Sequence, residues 1–136
     1  MQISSPQDTL ELLKGYRFKK QEHFGIICLD SGFNVLSKKV LFKGGSSSSL
    51  VDTKVLFWEV CKKNSCAIIV FHNHPSGNVR PSEEDITTTK AIEKSCKILG
   101  ISFLDHVIVG KHRHYSFKEH DLIGNDTEVK AVAERD

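Results

Sequence analysis

The chain has 136 residues, of which 39% are hydrophobic, and its 19 basic and 17 acidic side chains give a formal net charge of +2. This length and apolar content suit one domain with one core, and the charge is far from that of a dedicated DNA-binding module. No apolar run could cross a bilayer, and the N-terminal segment lacks the apolar stretch of a signal peptide. We therefore expect a cytoplasmic domain over residues 1–120, with no membrane association, and a polar C-terminal tail over residues 121–136.

The first half of the chain predicts a helix followed by a β-hairpin. The helix is predicted to begin after Ser5 as N-cap, with Pro6 and Asp8 in its first turn, and to end at Gly15. The segment "EHFGIICLD" is apolar almost throughout, which predicts a central strand, and "VLSKKVLFKGG" returns beside it after the turn "SGFN". The next segment, "GGSSSS", is predicted to be a flexible loop.

The second half predicts two helices that alternate with strands. Asp52 can cap a helix that runs to Lys62, with a buried stripe made by Val55, Leu56, Trp58 and Cys61. "CAIIVFHNH" reads as a buried strand, "SEEDITTTKAIEKSCKILG" as a helix capped by Ser82 and ended by Gly100, and "ISFLDHVIVG" and "HYSFKEH" as a last pair of strands. The order αββαβαββ predicts an α/β fold in which a mixed sheet is flanked by helices.

Four cysteines lie at positions 28, 61, 66 and 96 without the C-x-x-C spacing of common zinc and redox sites. Because they fall mostly in apolar segments of a chain expected in the cytoplasm, we interpret them as reduced core thiols.

The stretch "HNHPSGNVRPSEED", residues 72–85, is typical of a metal site. Alternate residues of a strand point to the same side, so His72 and His74 can direct both imidazoles at one point while Asn73 faces away. The Pro- and Gly-rich turn then lets Asp85 approach from the first turn of the next helix. Two imidazoles and one carboxylate leave a fourth position for water, which is the arrangement of a catalytic zinc site.

Each part of this pattern also has a structural explanation. An H-x-H pair is expected about 0.35 times by composition, and a second pair, His112 and His114, lies in a basic turn that we interpret as exposed loop. Ser82 and Asp85 could simply form a near capping box at the start of a helix. The full pattern is expected only about 0.002 times, so metal binding is the better interpretation.

Hydrolysis at such a site needs a carboxylate that moves a proton without binding the metal. Glu22 is the best candidate, because it opens an apolar strand expected to lie beside the strand of the histidines. A solvated glutamate at a strand end remains the alternative. Glu83 and Glu84 are nearer in sequence, but acidic residues are favoured at any helix N-terminus.

The stretch matches the JAMM pattern of His-x-His, seven residues, Ser, two residues and Asp. Residues 4–120 resemble the C-terminal domain of RadC proteins, with "LFKGG", "HNHPSG", "LGISFLDHVIVG" and "YSF" as shared phrases. The resemblance implies the JAMM/MPN architecture, which is similar to that of cytidine deaminases. It also implies Zn2+ on His72, His74 and Asp85, Glu22 as general acid/base and Ser82 as a polar stabiliser of the oxyanion.

The activity implied by the resemblance is that of a zinc metallopeptidase or isopeptidase acting on a peptide or isopeptide substrate. The alternative is a DNA-repair or recombination accessory protein that binds DNA-repair partners and keeps the metal site as a vestige. The helix-hairpin-helix region usual in RadC proteins has no counterpart here, so the resemblance supplies no DNA-binding region. A zinc nucleobase deaminase is disfavoured, because its H-x-E and P-C-x-x-C motifs are missing.

The phrase "LDH" contains Asp105 and His106, to which the sequence assigns no chemistry. His106 could be a core histidine or could support a metal ligand, and we favour the structural interpretation.

Overall fold

The fold was determined as a computed structural model that describes residues 1–44 and 51–124. Within these residues the helices and strands are α1 (Pro6–Leu13), β1 (Glu22–Leu29), β2 (Val35–Gly44), α2 (Thr53–Lys62), β3 (Ala67–Asn73), α3 (Glu83–Leu99), β4 (Ser102–Val109) and β5 (His114–Ser116). The predicted order αββαβαββ is confirmed. The "GSSSS" of the predicted loop, residues 45–49, and residues 125–136 of the predicted tail lie outside the described residues.

The five strands form one mixed sheet in the order β2-β1-β3-β4-β5. β1 pairs in antiparallel fashion with both β2 and β3, as expected for the hairpin and for the strand beginning at Glu22. β3 and β4 are parallel, because α3 carries the chain back across the sheet between them. Phe24 of β1 lies opposite His72 of β3, which brings the start of β1 to the end of β3.

Helices cover both faces of this sheet. On one face Leu13 of α1 packs with Ile27, Ile69 and Val107. The other face carries a second cluster, in which α2 and α3 pack against β1 and β3: Phe24, Ile26, Cys28, Leu56, Val60, Ile68, Val70, Ile92 and Cys96. The α/β fold with a mixed sheet between helices is therefore confirmed. In the described part of the chain no helix has the length and apolar character needed to span a membrane.

The predicted buried stripe of α2 is wrong at three of its four positions. Leu56 is fully buried, but Trp58 is 69% exposed, and Val55 and Cys61 are exposed as well. The inward face of the helix instead carries Glu59 and Val60 beside Leu56. The Glu59 carboxylate lies 3.6 Å from Lys39 Nζ on β2 and 3.1 Å from Lys62 Nζ, and these ion pairs allow a charged group to be buried where the pattern predicted an apolar one.

The interpretation of the cysteines holds for two of the four. Cys28 and Cys96 are buried, whereas Cys61 and Cys66 are exposed, and all four are free thiols. Burial raises the pKa of Cys28 and raises the pKa of Cys96 to about 12, so neither is a thiolate near neutral pH.

Candidate metal centre

Two imidazoles converge at the carboxyl end of β3. His72 is the penultimate residue of the strand and is 1% exposed, and His74 follows the strand directly. Because the backbone stays extended, both rings project from the same side of the sheet, and their Nε2 atoms are 2.8 Å apart. The His74 amide donates to the Val109 carbonyl of β4, and this bond holds the residue beyond the end of β3 in place.

The carboxylate of Asp85 comes from the N-terminus of α3. Its Oδ1 lies 3.2 Å from Nε2 of His72 and its Oδ2 lies 3.2 Å from Nε2 of His74. Ser82 is the N-cap: its Oγ accepts the Asp85 amide, and the Ser82 amide donates to Asp85 Oδ2, so the predicted capping box is confirmed. Burial would raise the pKa of Asp85, but the imidazoles of His72 and His74 beside the carboxylate outweigh it and hold this pKa well below its usual range.

Glu22 begins β1 and reaches the same place from the neighbouring strand. Its Oε1 lies 3.9 Å from Nε2 of His72, and its side chain is 38% exposed. The ring of Phe24, two residues along the same strand face, stacks on His72 with 5.9 Å between centroids. Glu22 is therefore near the imidazoles but open to solvent on its other side.

Asn73 holds the backbone on both sides of Glu22. The side chain of Asn73 is buried, and its Oδ1 accepts the His23 amide at 2.7 Å. Its Nδ2 donates to the carbonyls of Gln21 at 3.0 Å and Lys19 at 3.3 Å. The residue between the two histidines thus ties the start of β1 to the end of β3.

The ring nitrogens that point away from the cluster are also occupied. His74 Nδ1 lies 2.8 Å from the Asn78 carbonyl, and His72 Nδ1 lies 2.8 Å from Nε2 of His106. Burial lowers the pKa of His74, but its hydrogen bond with Asp85 outweighs this and raises it. Metal-bound histidines in proteins almost always use their second nitrogen in this way.

The donor set fits a zinc ion. Two triples of side chains share the imidazoles: the ligand atoms of Glu22, His72 and His74 all lie within 4.8 Å of one another, and Asp85 approaches the same two nitrogens at 3.2 Å. Imidazole and carboxylate are zinc ligands. Of the two carboxylates, Asp85 is the nearer to His72 and contacts both rings, and its Oδ2 is held by the capping box. The structure thus contains a candidate metal site, and the division of the carboxylates into ligand and base remains a prediction.

Three further side chains support this cluster. Sequence reasoning considered one of them, His106, as a core histidine or as support for a metal ligand, and missed the contacts of the other two, Thr89 and Asn73. His106 is fully buried, and burial together with the neighbouring His72 lowers its pKa well below the usual range. Thr89 contacts His106 Nδ1 at 2.6 Å, and nothing in the run "TTT" distinguishes this threonine from its neighbours. Asn73 was correctly expected to face away from the histidines, but its bonds to β1 could not be derived from a strand pattern.

Other candidate groups lie elsewhere. His112 and His114 are exposed, as predicted, and the described residues show no metal-ligand group away from the cluster around His72 and His74. Asp105 accepts hydrogen bonds from Ser116 Oγ and from the backbone amides of His106 and Lys118. These bonds give Asp105 a structural role, because they join β4 to β5 and the residues after it.

A pocket of about 510 Å³ lies on the α1 side of the sheet and is lined by none of the predicted site residues.

The fold is that of a JAB-type domain, as the comparison with protein families shows. The RadC-like JAB domain family matches residues 3–122, and the chain belongs to this family. The mixed five-stranded sheet with its three helices is consistent with the JAB/MPN fold that the resemblance implied.

Several bacterial proteins are similar to most of the chain. A UPF0758 protein of Clostridium perfringens is 43% identical over 124 residues, which cover 90% of this chain and 55% of that protein. A UPF0758 protein of Desulfitobacterium hafniense is 42% identical over 89% of this chain and 54% of its own length. A UPF0758 protein of Streptococcus agalactiae is 38% identical over 86% of this chain and 52% of its own length. The chain spans about half the length of these relatives.

Proposed function

We propose that the protein is a zinc-dependent hydrolase that cleaves amide or isopeptide bonds. The observation that carries this proposal is the convergence of the His72 and His74 Nε2 atoms, 2.8 Å apart, on a carboxylate of Asp85 that lies 3.2 Å from each. Membership of the JAB-type family is consistent with it. A zinc ion held by these three residues would lower the pKa of water toward about 7 and polarise the carbonyl of the substrate.

Glu22 is the proton carrier in this proposal. Its carboxylate lies 3.9 Å from His72 Nε2, farther than that of Asp85, so it can stand beside the metal without binding it. Its 38% exposure leaves one side open to water and substrate. Glu22 would take a proton from the attacking water and deliver it to the leaving amine.

Ser82 is the proposed donor to the oxyanion. Its Oγ already accepts the Asp85 amide hydrogen in the capping box, and an oxygen that accepts in this bond still has its own hydrogen to donate. Ser82 is exposed at the N-terminus of α3, beside the carboxylate that binds the metal in this proposal. The hydroxyl could therefore stabilise negative charge on the substrate oxygen.

The test is a comparison of Glu22→Gln with the wild-type protein, both loaded with zinc. Fluorogenic peptides and lysine-linked isopeptides of defined sequence serve as substrates, and metal analysis gives the zinc content. Gln keeps the size of Glu but cannot take up the proton, so zinc content should stay at one per chain while hydrolysis falls about 10²- to 10⁴-fold. Glu84→Gln is the matched control, since Glu84 is an exposed acidic residue in the first turn of α3 with no proposed role.

Three outcomes contradict this assignment. Loss of zinc in Glu22→Gln would make Glu22 a ligand, and an unchanged rate would remove it from catalysis. Failure of the zinc-loaded wild type to cleave any member of the panel, together with salt-dependent binding to branched DNA, would favour the accessory role in DNA repair or recombination with a vestigial metal site.

A further inference from the structure

A line of hydrogen bonds leads from the backbone of Asp85 to the ring of His72. Thr89 Oγ1 lies 2.7 Å from the Asp85 carbonyl and 2.6 Å from His106 Nδ1. His106 Nε2 in turn lies 2.8 Å from His72 Nδ1. The side chains of Thr89, His106 and His72 are all at most 1% exposed, so each polar atom must find its partner inside the protein.

The hydrogen atoms in this line can be placed from the donors and acceptors present. The Asp85 carbonyl can only accept, so the single hydroxyl hydrogen of Thr89 points to it. Thr89 Oγ1 must then accept from His106 Nδ1–H. A neutral imidazole carries one N–H, so His106 Nε2 presents a lone pair, and His72 Nδ1–H donates to it.

The direction of these hydrogen bonds decides which nitrogen of His72 has a lone pair available for a metal. Once Nδ1 of His72 carries the hydrogen, its Nε2 has a lone pair. That atom lies 2.8 Å from His74 Nε2, from which it can accept a hydrogen bond, and 3.2 Å from the acceptor Asp85 Oδ1, so a cation fits between Nε2 and the carboxylate. His72 can bind a metal through Nε2 in no other neutral form. The opposite direction would set a lone pair of Thr89 against that of the Asp85 carbonyl at 2.7 Å, which is repulsive.

His106 also has a packing role, which must be separated from this one. Its ring stacks on Phe117 with centroids 4.5 Å apart and lies edge-on to Phe24. Packing of this kind requires an aromatic ring but neither nitrogen. A phenylalanine at position 106 would fill the same space and would break both hydrogen bonds.

We propose that His106 and Thr89 are positioning residues that hold His72 in its Nδ1–H form, so that Nε2 is presented to zinc. The proposal rests on the proposed function only in taking His72 as a zinc ligand. It also explains how α3 and β4 act together on one ligand, since Thr89 lies one helical turn after Asp85. Loss of such a supporting contact typically lowers metal affinity about 10- to 100-fold.

The first part of the experiment uses the zinc-free, ¹⁵N-labelled full chain at pH 8. Long-range ¹H–¹⁵N correlation spectra distinguish the two neutral forms of each imidazole. His72 and His106 should both carry hydrogen on Nδ1. Observation of His72 with hydrogen on Nε2 would overturn the proposal.

The second part measures zinc affinity by competition with a chromophoric chelator. Thr89→Val removes the hydroxyl and keeps the branched shape, and it should weaken zinc binding about 10- to 100-fold and alter the His106 signals. Ser95→Ala is the matched control: Ser95 Oγ makes the same kind of bond to a carbonyl four residues earlier on α3, at 3.0 Å, but on the exposed side. Ser95→Ala should bind zinc as the wild type does.

His106→Phe is the second variant, because it keeps the aromatic packing and loses both nitrogens. Its zinc affinity should fall to a similar extent as that of Thr89→Val. Wild-type affinity in Thr89→Val would overturn the proposal even if His106→Phe did not fold. This experiment measures zinc binding and not hydrolysis. If the affinities are as expected but the zinc-loaded chain cleaves no substrate, the proposed function is contradicted and the role of His106 and Thr89 stands.

Discussion

The Asp85 carboxylate takes part in a helix cap and in the candidate metal site at the same time. Its Oδ2 accepts the Ser82 amide at 2.8 Å and lies 3.2 Å from His74 Nε2. Ser82 returns a bond by accepting the Asp85 amide. The cap therefore orients the same oxygen that would face the metal. A substitution at Ser82 tests its role as N-cap and its proposed role in catalysis.

We expect Ser82→Ala to lower the free energy of unfolding by about 1 kcal/mol, because the N-cap oxygen is lost. Ser82→Asp should restore most of this stability, since aspartate is an equally good N-cap, but it has no hydroxyl hydrogen to donate. Urea denaturation gives the stability, and hydrolysis of a validated substrate gives the activity. A stable Ser82→Asp protein with full activity would leave Ser82 with the cap and no catalytic role.

At the scale of elements, the site depends on how the start of β1 is fastened to the end of β3. The buried Asn73 side chain bonds to the His23 amide and to the Gln21 carbonyl, which are the backbone groups on either side of Glu22. The residue that separates the two histidines in sequence thus fixes the position of the predicted base.

Asn73→Ala should leave the His23 amide and the Gln21 carbonyl without these partners and cost about 1–3 kcal/mol of stability. Exchange of the His23 amide hydrogen should become faster, whereas the amide of Ile27, inside the paired region of β1, should keep its protection. Hydrogen exchange followed by NMR measures both in one sample. Unchanged protection at His23 would show that β1 is held by its strand partners without Asn73.

At the scale of the whole molecule, the candidate ligands belong to different parts of the fold. His72 lies at the end of a central strand, and Asp85 lies on a helix that packs on one face of the sheet. A metal ion bound by both would exist only in the folded chain, because the unfolded chain holds them 13 residues apart without fixed geometry. Metal binding should therefore stabilise the fold.

Addition of zinc at about 100 times its dissociation constant should add about 2.7 kcal/mol to the free energy of unfolding. The double variant His72→Ala, His74→Ala should show no such gain, and metal analysis should show no zinc in it. Thermal unfolding with zinc and with a chelator measures the difference. An equal gain in the double variant would assign the zinc to other groups, such as the exposed thiols of Cys61 and Cys66.

The amino-acid sequence determined the order of the elements, the strand beside the histidines and the convergence of His72, His74 and Asp85. These features follow from local rules, because strand alternation and the helix N-cap fix the directions of side chains that are close in sequence. Glu22 was predicted because it opens an apolar strand expected to lie beside the histidine strand, and the pairing of β1 with β3 brings it within 3.9 Å of His72.

Only the tertiary structure decided which side of α2 is buried and what His106 contacts. Trp58 is exposed, and Glu59 is buried with two ion pairs, one to Lys62 on the same helix and one to Lys39 on a strand 20 residues earlier in the chain. His106 meets His72 across a parallel strand pair and meets Thr89 on the helix above it. Such contacts join residues that are distant in sequence, and periodicity within one element carries no information about them.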